Sequence, residues 1–416
     1  MSSIVVAGDT SGSITIAAPL VAGSNTLTLP VATDTLVGKA TTDTLTNKTL
    51  VDPTITGLQS LNTPNTFGFK NRIINGGMVI DQRNAGASVS ATSGGQYFLD
   101  RYSVNISAGS KFTVARSSIA PTGFNSSSLI TSSSAYSITS GDFFTYQQFI
   151  EGYNIADLGW GTASASTVTL SFWVRSSLTG TFGGTLANSI STASATRSYP
   201  FTYTISSANT WEQKTITIAG DTSGTWGATN AGGIAVLFGL GVGSTYSGTA
   251  GAWASADYRS STGAVSVVGT SGATFYITGV QLEKGSTATS FDFRPYTTEL
   301  QLCQRYLPAW QAGGNSNAQV PGSATALVTN VYMLFPFPVT ARAAPTGITL
   351  SNVAHMSFGN NDGNAACTVS TGLAQSSSFA ANFTFTVAVT RGATTTPGWL
   401  YANNTSLSFY FTGCEL

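Results

Sequence analysis

The sequence predicts an all-β protein, and three observations support this. Only 8% of the 416 residues are charged, against about 25% in typical soluble proteins, so Ser, Thr, Asn and Gly fill most polar positions. Thr and the 23 Phe, 15 Tyr and 7 Trp favour strands, whereas the 45 Gly favour turns. The chain is 42% hydrophobic with zero net charge, whereas disorder goes with low hydrophobicity and high net charge. We therefore expect a folded chain of more than one domain.

Residues 1–66 contain short extended pieces such as Ser13–Ala17 and Thr26–Pro30, in which apolar residues alternate with Thr. The segment Ala40–Gly57 carries its apolar residues on a thin stripe. One such stripe buries too little surface to offset the backbone entropy lost on folding, but three copies wound together would bury it. The pattern favours an N-terminal anchor and intertwined stalk over the alternative, a flexible tail.

Residues 67–297 contain longer strands that are separated by turns rich in Gly, Ser and Asn, a spacing typical of a β-sandwich. Polar and apolar residues alternate along these strands, as expected when one face of a sheet covers a core. The strands that predict this central domain are Val168–Val174, Thr215–Ile218, Ile234–Phe238 and Ala273–Leu282.

A short helix is predicted over residues 298–308, because Leu300, Cys303 and Leu307 recur at helical spacing and Pro308 ends the pattern. Residues 309–416 then return to a strand-like composition. Their alternating segments predict a second, smaller β-sandwich, with strands at Leu327–Phe335, Phe383–Val389 and Leu407–Phe411.

Charge and cysteine content exclude several partners. Seventeen basic and seventeen acidic residues, without a run of either sign, indicate no nucleic-acid partner and no anionic membrane surface. Residues 1–9 lack a secretory signal, and prolines interrupt the apolar stretch Val331–Val339, so we expect no membrane insertion. Three distant cysteines indicate neither a disulfide framework nor a zinc site: Cys303, Cys367 and Cys414.

The residues that could support catalysis are few, and we predict no catalytic residue. His355 is the only histidine, and no nucleophile motif lies near it. A glycosidase needs two facing carboxyl groups, for which Glu151 with Asp157, or Asp292 with Glu299, are the candidates. Acids next to arginines at strand ends more often make local hydrogen bonds, so we favour that role for them.

The sequence predicts no metal ion and no cofactor. Gly359–Asn364 has several oxygen donors but lacks the acidic set and final Glu of a calcium loop, which favours a polar turn. The glycine pairs at residues 94–95 and 232–233 belong to no strand, glycine loop and helix unit, so they indicate turns and no nucleotide site.

Aromatic residues in two Gly-rich loops, 221–230 and 244–259, are the best candidates for ligand contact. Sugar rings stack their apolar faces on Trp and Tyr, and their hydroxyl groups pair with Asp and Asn. The alternative is that these tryptophans close the open end of the sandwich or pack against a neighbouring chain. The candidate carbohydrate-binding residues are Trp226, Tyr246, Trp253, Asp257 and Tyr258.

Several stretches, taken in their order along the chain, resemble a family of tailed-bacteriophage virion proteins described as tail fibres or structural proteins. The resemblance is at the level of motifs and spans most of the chain. The motifs are Thr44–Leu50, Asn71–Asn84, Leu99–Tyr102, Ser171–Ser176, Ile277–Tyr296, Glu299–Tyr306 and Pro336–Pro345.

This resemblance implies that residues 67–297 are similar to jelly-roll carbohydrate-binding modules. It implies a homotrimer on the virion that contacts other phage proteins through its N-terminal region and binds host surface polysaccharide without cleaving it. The family has no defined sugar-contacting motif to carry over, so the five candidates rest on the loop argument. Two alternatives stay open: a purely architectural component, such as a head fibre or baseplate piece, and a tailspike-type polysaccharide depolymerase.

Overall fold

The computed structural model forms two compact units, Met1–Leu61 and Asn62–Leu416. In the first unit, β1 (Ser3–Ala7) and β2 (Ser13–Ala17) pair as an antiparallel hairpin. The predicted stalk segment, residues 40–57, lies outside the described residues. The structure describes residues 3–7, 11–17, 69–188, 195–361, 363–389 and 395–416.

The second unit begins with a β-sandwich, and the described chain is all-β with one α-helix, which confirms the predicted fold class. The sandwich strands are β3 (Val89–Ser90), β4 (Tyr102–Ile106), β5 (Phe112–Ser117), β6 (Ser127–Ser132), β7 (Phe143–Glu151), β8 (Val168–Ser176), β9 (Gly180–Asn188), β10 (Ser198–Ile205), β11 (Glu212–Ile218), β12 (Gly232–Val242) and β15 (Thr274–Lys284). Between β12 and β15, β13 (Ser247–Gly248) and β14 (Ser260–Ser261) pair with each other as a separate parallel sheet. Two 3₁₀ turns, Gly152–Asn154 and Ala156–Leu158, follow β7.

Two antiparallel sheets face each other, one with five strands in the order β10-β9-β12-β7-β4 and one with six in the order β11-β8-β15-β6-β5-β3. Alternation along the strands places one apolar set between the sheets, where Phe172 of β8 meets Phe238 of β12 with ring centres 5.0 Å apart. Both rings are buried, and full burial of one such side chain contributes about 1.5–3 kcal/mol.

The irregular segment before β3 is ordered by two asparagines. Asn71 accepts hydrogen bonds from the backbone N–H groups of Ile73 and Leu282, at 2.9 and 3.1 Å, and donates to the carbonyl of Val280. Asn75, which has a positive φ of 58°, exchanges hydrogen bonds with the backbone of Ile80. Side-chain amides therefore replace ladder bonds here: Asn71 fastens the start of the segment to β15, and Asn75 closes the turn that ends at Ile80.

Helix α1 (Tyr296–Gln304) follows the sandwich and starts two residues before the predicted helix. Its buried face carries Glu299 and Cys303. The Glu299 carboxylate accepts a hydrogen bond from the backbone N–H of Asn75 and lies 3.2 Å from an Nη atom of Arg294. The helix is thus attached to the asparagine-ordered segment as well as to the chain that precedes it.

The C-terminal strands do not form the predicted second sandwich. Six of them close into a barrel in the order β17-β18-β22-β21-β20-β23, and three form a separate sheet, β16-β24-β19. Their bounds are β16 (Ala309–Gln311), β17 (Ser323–Leu327), β18 (Asn330–Pro336), β19 (Gly347–Leu350), β20 (Met356–Asn360), β21 (Gly363–Ser376), β22 (Ala380–Val387), β23 (Thr396–Ala402) and β24 (Ser408–Thr412), with a 3₁₀ turn at Val353–His355.

The barrel closes because β23 pairs with both β17 and β20, which would otherwise be the two edges of an open sheet. Closure removes unpaired backbone edges. Along β18, Val331, Met333 and Phe335 point into the barrel core, whereas Tyr332 and Leu334 point outward. A sandwich gives the same alternation, so the sequence pattern does not distinguish the two. No helix within the described ranges is long and apolar enough to span a membrane.

The sandwich, the helix end and the chain leading to the barrel meet at a buried carboxylate. Glu151 at the end of β7 is 1% exposed and pairs with the guanidinium of Arg305 at 2.6 and 2.9 Å. The Tyr306 hydroxyl donates to the same carboxylate at 2.5 Å, and the Arg101 guanidinium lies 3.5 Å from the Tyr306 ring centre. Burial raises the pKa of Glu151, but these hydrogen bonds outweigh it and lower the pKa below its ordinary value.

Substitution of Arg305 tests this junction. We expect Arg305→Met to lower the free energy of unfolding by about 3 kcal/mol, because it leaves the buried Glu151 charge unpaired. Urea unfolding followed by circular dichroism measures the change. The control is Lys284→Met, whose exposed pair with Asp157 has a separation of 3.6 Å and contributes less than about 1 kcal/mol. Equal losses in the two variants would contradict a structural role for the junction.

Candidate functional site

A groove of about 630 Å³ lies on the outer face of the five-stranded sheet. Its floor is a small apolar cluster, in which Ala235 of β12 pairs across the sheet with Ala187 of β9 and Phe149 of β7. Leu237 continues the floor beside Gln147. These residues alternate with the core-facing ones on the same strands, so the sandwich pattern itself places them on the second face of the sheet. The small alanine side chains leave space above this part of the sheet.

One wall of the groove is the loop that follows β12. This loop lies directly on the sheet because the sheet has glycines beneath it: a Cβ atom at Gly183 would be 2.3 Å from the Ser261 Oγ, and one at Gly239 would be 2.5 Å from the Ser260 Oγ. Side chains at either position would therefore lift the loop. The loop brings Asp257 and Tyr258, two of the predicted site residues, to the groove.

Arg259 also lines the groove, and the sequence analysis did not identify it. Its guanidinium lies 3.8 Å from the Phe143 ring centre and 4.5 Å from that of Tyr246, and it donates to the Asp257 carboxylate at 2.8 Å. Cation–π contacts and the ion pair therefore fix both charged groups in place. Tyr246, a predicted contact, supports Arg259 from the side and is outside the groove lining. In the sequence, only its position next to Tyr258 could have indicated that Arg259 belongs to the site.

Tyr258 is held in place by contacts with Gly248 and Ser198. Its ring packs on Gly248, where an added Cβ atom would lie 2.3 Å from the ring, and its backbone N–H donates to the Ser198 Oγ at 3.2 Å. A tyrosine fixed in this way presents an aromatic surface without losing much side-chain entropy when a ligand binds. The position is therefore suited to stacking.

The far end of the groove is formed by Arg342, Glu415 and Leu416 of the C-terminal part. The Arg342 side chain donates to the carbonyl groups of Cys414 and Glu415, at 2.6 and 2.5 Å, and so fixes the chain end. Glu415 pairs with Arg83 at 2.6 Å. Burial raises the pKa of Glu415 to about 7, and the nearby Arg83 and Arg101 offset this only in part.

The structure brings Trp226 and Trp253 together, but it does not bring them into the groove lining. They form a cluster with Trp160, with ring centres 4.6 to 5.4 Å apart in edge-to-face arrangement. The cluster packs against the sandwich core. Each indole N–H donates to a backbone carbonyl, those of Ser166, Ser223 and Ala219 for Trp160, Trp226 and Trp253 respectively. This geometry is typical of aromatic packing at the end of a sandwich.

The carboxylates considered for glycoside cleavage do not line the groove. Glu151 belongs to the junction, and Asp157 accepts two hydrogen bonds from Arg72 at 2.7 and 2.8 Å. Burial raises the pKa of Asp157, but the Arg72 contacts outweigh it and lower the pKa, as at Glu151. A glycosidase acid needs a raised pKa, so this pair does not suit that role. Asp292 and Glu299 share one partner, Arg294.

The other candidates for chemistry lie apart from the groove. His355 is on the barrel, with ring nitrogens 3.4 Å from the Asn352 amide nitrogen and 3.3 Å from the Ser406 Oγ. Residues 359–364 join β20 to β21, and residue 362 is outside the described part of the chain. Where side chains are described, no group of three or more His, Cys, Asp or Glu residues is placed to hold a metal.

Comparisons with known proteins give only remote likenesses. No protein-family model matches the chain, and no curated protein sequence matches it. Among solved structures, the enzymatically active domain of bacteriophage CBA120 tailspike protein 4 is 14% identical with a TM-score of 0.29, covering 52% of this chain and 22% of its own. This chain thus spans about a fifth of that protein's length.

Two further likenesses cover the whole of the matched chain. A family 11 carbohydrate-binding module from Clostridium thermocellum, in complex with a β-1,3-1,4-mixed-linked tetrasaccharide, is 11% identical over 50% of this chain and all of its own, with a TM-score of 0.26. A putative sugar binding protein from Bacteroides thetaiotaomicron is 11% identical over 52% of this chain and all of its own, with a TM-score of 0.28. At these TM-scores nothing about function follows from the likenesses.

The raised pKa of Glu415 predicts a pH dependence of stability. Between the ordinary value near 4.5 and the folded value of about 7, the folded protein holds a proton that the unfolded chain releases. The free energy of unfolding should therefore fall as pH rises from about 5 to about 8. We expect Glu415→Gln to make this decline shallower, as measured by urea unfolding at both pH values.

Glu212→Gln is the control for that experiment. Burial raises the pKa of Glu212, but hydrogen bonds from Lys214 and two backbone N–H groups outweigh it and lower the pKa, so this group does not titrate in the same window. The control should keep the wild-type slope. An unchanged slope in Glu415→Gln would show that the buried carboxylate does not hold the proton.

Proposed function

We propose that the protein binds carbohydrate without cleaving it, and that the groove on the five-stranded sheet is the binding site. The observation that carries this proposal is the fixed set of Asp257, Tyr258 and Arg259 beside an apolar floor. A sugar presents an apolar ring face to Tyr258 and the floor, while its hydroxyl groups pair with fixed polar groups. The predicted site residues thus divide into direct contacts and supports.

The direct contacts have complementary roles. The Asp257 carboxylate accepts hydrogen bonds from sugar hydroxyl groups, and the Arg259 guanidinium, held by Phe143 and Tyr246, sets the position of that carboxylate. Further along the groove, the Gln147 amide can donate and accept. The Asn188 amide is already hydrogen-bonded to Thr196, Arg197 and Thr225, so it shapes the groove and does not contact the sugar. In this proposal Tyr246 is a positioning residue.

In this proposal Trp226 and Trp253 do not contact the sugar and affect binding through the residues that line the groove. The Asn188 side chain donates to the carbonyl of Thr225 at 3.1 Å, so the loop that carries Trp226 orients a residue that lines the groove. The Arg197 and Asp221 pair, at 2.6 and 2.7 Å, anchors the same loop. We assign the tryptophan cluster the role of keeping this end of the groove in shape.

For the biological role, we propose that the chain is a host-attachment fibre subunit of a tailed-bacteriophage virion and that it forms a homotrimer. The ordered sequence motifs support the virion assignment, and the thin apolar stripe of residues 40–57 supports a three-chain stalk. The low charge of the chain suits long contacts between subunits, where burial of ions is costly. The N-terminal region would join the subunit to other virion proteins.

Substitution of Tyr258 tests the binding site. Removal of a fixed aromatic contact costs about 2 kcal/mol or more, so we expect Tyr258→Ala to raise the Kd about thirtyfold. Binding is measured first on an array of bacterial capsular polysaccharides and lipopolysaccharide O-chains, and then by calorimetry with the bound glycan. Tyr332→Ala, on the outer face of the barrel, is the matched control.

Trp253→Ala separates packing from contact. We expect it to lower the free energy of unfolding by about 3 kcal/mol and to change the Kd much less than Tyr258→Ala does. A blank array would contradict carbohydrate binding. The appearance of new reducing ends during incubation with a bound polysaccharide would contradict the non-enzymatic assignment and favour a depolymerase.

A further inference from the structure

A second depression, of about 500 Å³, lies next to the groove of the proposed function. Glu415 and Leu416 line both, so these two residues form a border that the groove and the depression share. The loop of residues 94–97 also continues from one to the other: its first two residues line the groove and its last two line the depression. From the C-terminal strands, β24 contributes Tyr410. We call this depression the second cavity.

Two tyrosines of the second cavity are held around one arginine. The Arg83 guanidinium lies 5.2 Å from the Tyr97 ring centre and 5.4 Å from that of Tyr410. Along β24, Tyr410 alternates with Phe409 and Phe411, which belong to the core, so the Tyr410 ring lies on the opposite face of the strand. Aromatic rings that are fixed in this way offer a contact surface at little cost in side-chain entropy. The second cavity therefore has the kind of lining on which sugar rings stack.

The polar groups of the second cavity are incompletely paired. The Arg83 side chain is 9% exposed and that of Glu415 is 11% exposed, and one Nη atom of Arg83 donates to the Glu415 carboxylate at 2.6 Å. A guanidinium and a carboxylate can form two parallel hydrogen bonds. Here the other Nη atom of Arg83 and the other carboxylate oxygen of Glu415 have no partner among the described residues. A buried donor or acceptor without a partner is costly, and a hydroxyl group, which both donates and accepts, can pair with either atom.

The charge of the second cavity limits the ligand further. Arg83 and Glu415 carry the only charged side chains among the described residues that line it, and they pair with each other. The lining therefore has no excess charge that would favour an ionised ligand. A ring with hydroxyl groups and no charge, which is an uncharged sugar, matches both the tyrosines and the two unpaired atoms.

We propose that the second cavity binds a further, uncharged sugar residue of the polysaccharide chain that occupies the groove. The shared border at Glu415 and Leu416 lets one chain pass from the groove into the second cavity. The ligand is then an extended stretch of polysaccharide and not a single terminal sugar. This inference rests on the proposed function and adds a second contact region to it.

Calorimetry with oligosaccharides of increasing length tests the second cavity. The ligands are fragments, prepared by partial hydrolysis, of a polysaccharide that the full chain binds. We expect Tyr410→Ala to raise the Kd of the longest fragment roughly tenfold, because it removes one aromatic contact, and to leave the Kd of the shortest fragment that binds unchanged. Tyr258→Ala should raise the Kd of both fragments, and Tyr332→Ala should raise neither. The gain in affinity with length should be the same at low and high salt, because it involves no charged sugar.

A second variant, Thr412→Phe, keeps the Tyr410 ring and fills the second cavity, which Thr412 also lines. It should produce the same loss for the longest fragment alone, and urea unfolding shows whether either variant changes the stability of the fold.

The possible failures are distinguishable. An affinity that does not increase with length, or variants that leave the Kd of the longest fragment unchanged, would overturn the second cavity and leave binding in the groove standing. Equal losses for short and long fragments would also overturn it, because the variants would then act on the groove itself. A gain with length that disappears at high salt would overturn the assignment of an uncharged sugar. A blank glycan array would overturn the groove and the second cavity together.

Discussion

The buried carboxylate of Glu151, with Arg305 and Tyr306 on it, is the interaction on which the arrangement of the second unit depends. The chain has only 34 charged residues among 416, and one of them, Glu151, has its carboxylate in the interior. An unpaired charge there would cost several kcal/mol, so the three residues fix one geometry for the end of β7 and the end of the helix. The same cost explains why the Arg101 guanidinium lies against the Tyr306 ring.

The shape of the groove depends on this geometry, because Arg342 connects the junction to the residues at the far end of the groove. The backbone N–H of Arg342 donates to the carbonyl of Arg305 at 2.7 Å, and the Arg342 side chain then holds the chain end that closes the groove. The opposite wall depends on glycines of the sheet, which let the loop with Asp257 and Tyr258 approach it. Floor, wall and end therefore come from distant parts of the sequence. A site of this kind exists only when the whole second unit is folded.

Several features were predictable because they follow from local rules. Alternation along strands predicted the all-β fold, and the spacing of Leu300, Cys303 and Leu307 predicted the helix. The barrel was not predictable, because closure depends on the pairing of β23 with β17 and β20, and pairing partners leave no mark in the alternation. The motif Asn71–Asn84 gave a family resemblance, and its structural role became visible only through the hydrogen bonds of Asn71 to β15 and of Asn75 to Ile80.

The candidate site also has residues that the sequence predicted and residues that it did not. Loop chemistry placed Asp257 and Tyr258 among the candidates, and both line the groove. The same rule selected Trp226 and Trp253, because a Gly-rich loop looks alike whether its tryptophan faces solvent or packs on a core. The missing information was Trp160, which lies far away in sequence and packs against both. Arg259 was not predictable, because its position in the site is fixed by a contact with Phe143, which is distant in the sequence.

Hydrogen–deuterium exchange with a bound oligosaccharide tests whether the groove is the binding site. If it is, we expect slower exchange in residues 143–149, 231–237 and 257–259 and near residue 415, with residues 221–226 changing less. Protection confined to residues 221–226 and 251–254, around the tryptophan cluster, would contradict it and make that cluster the binding site.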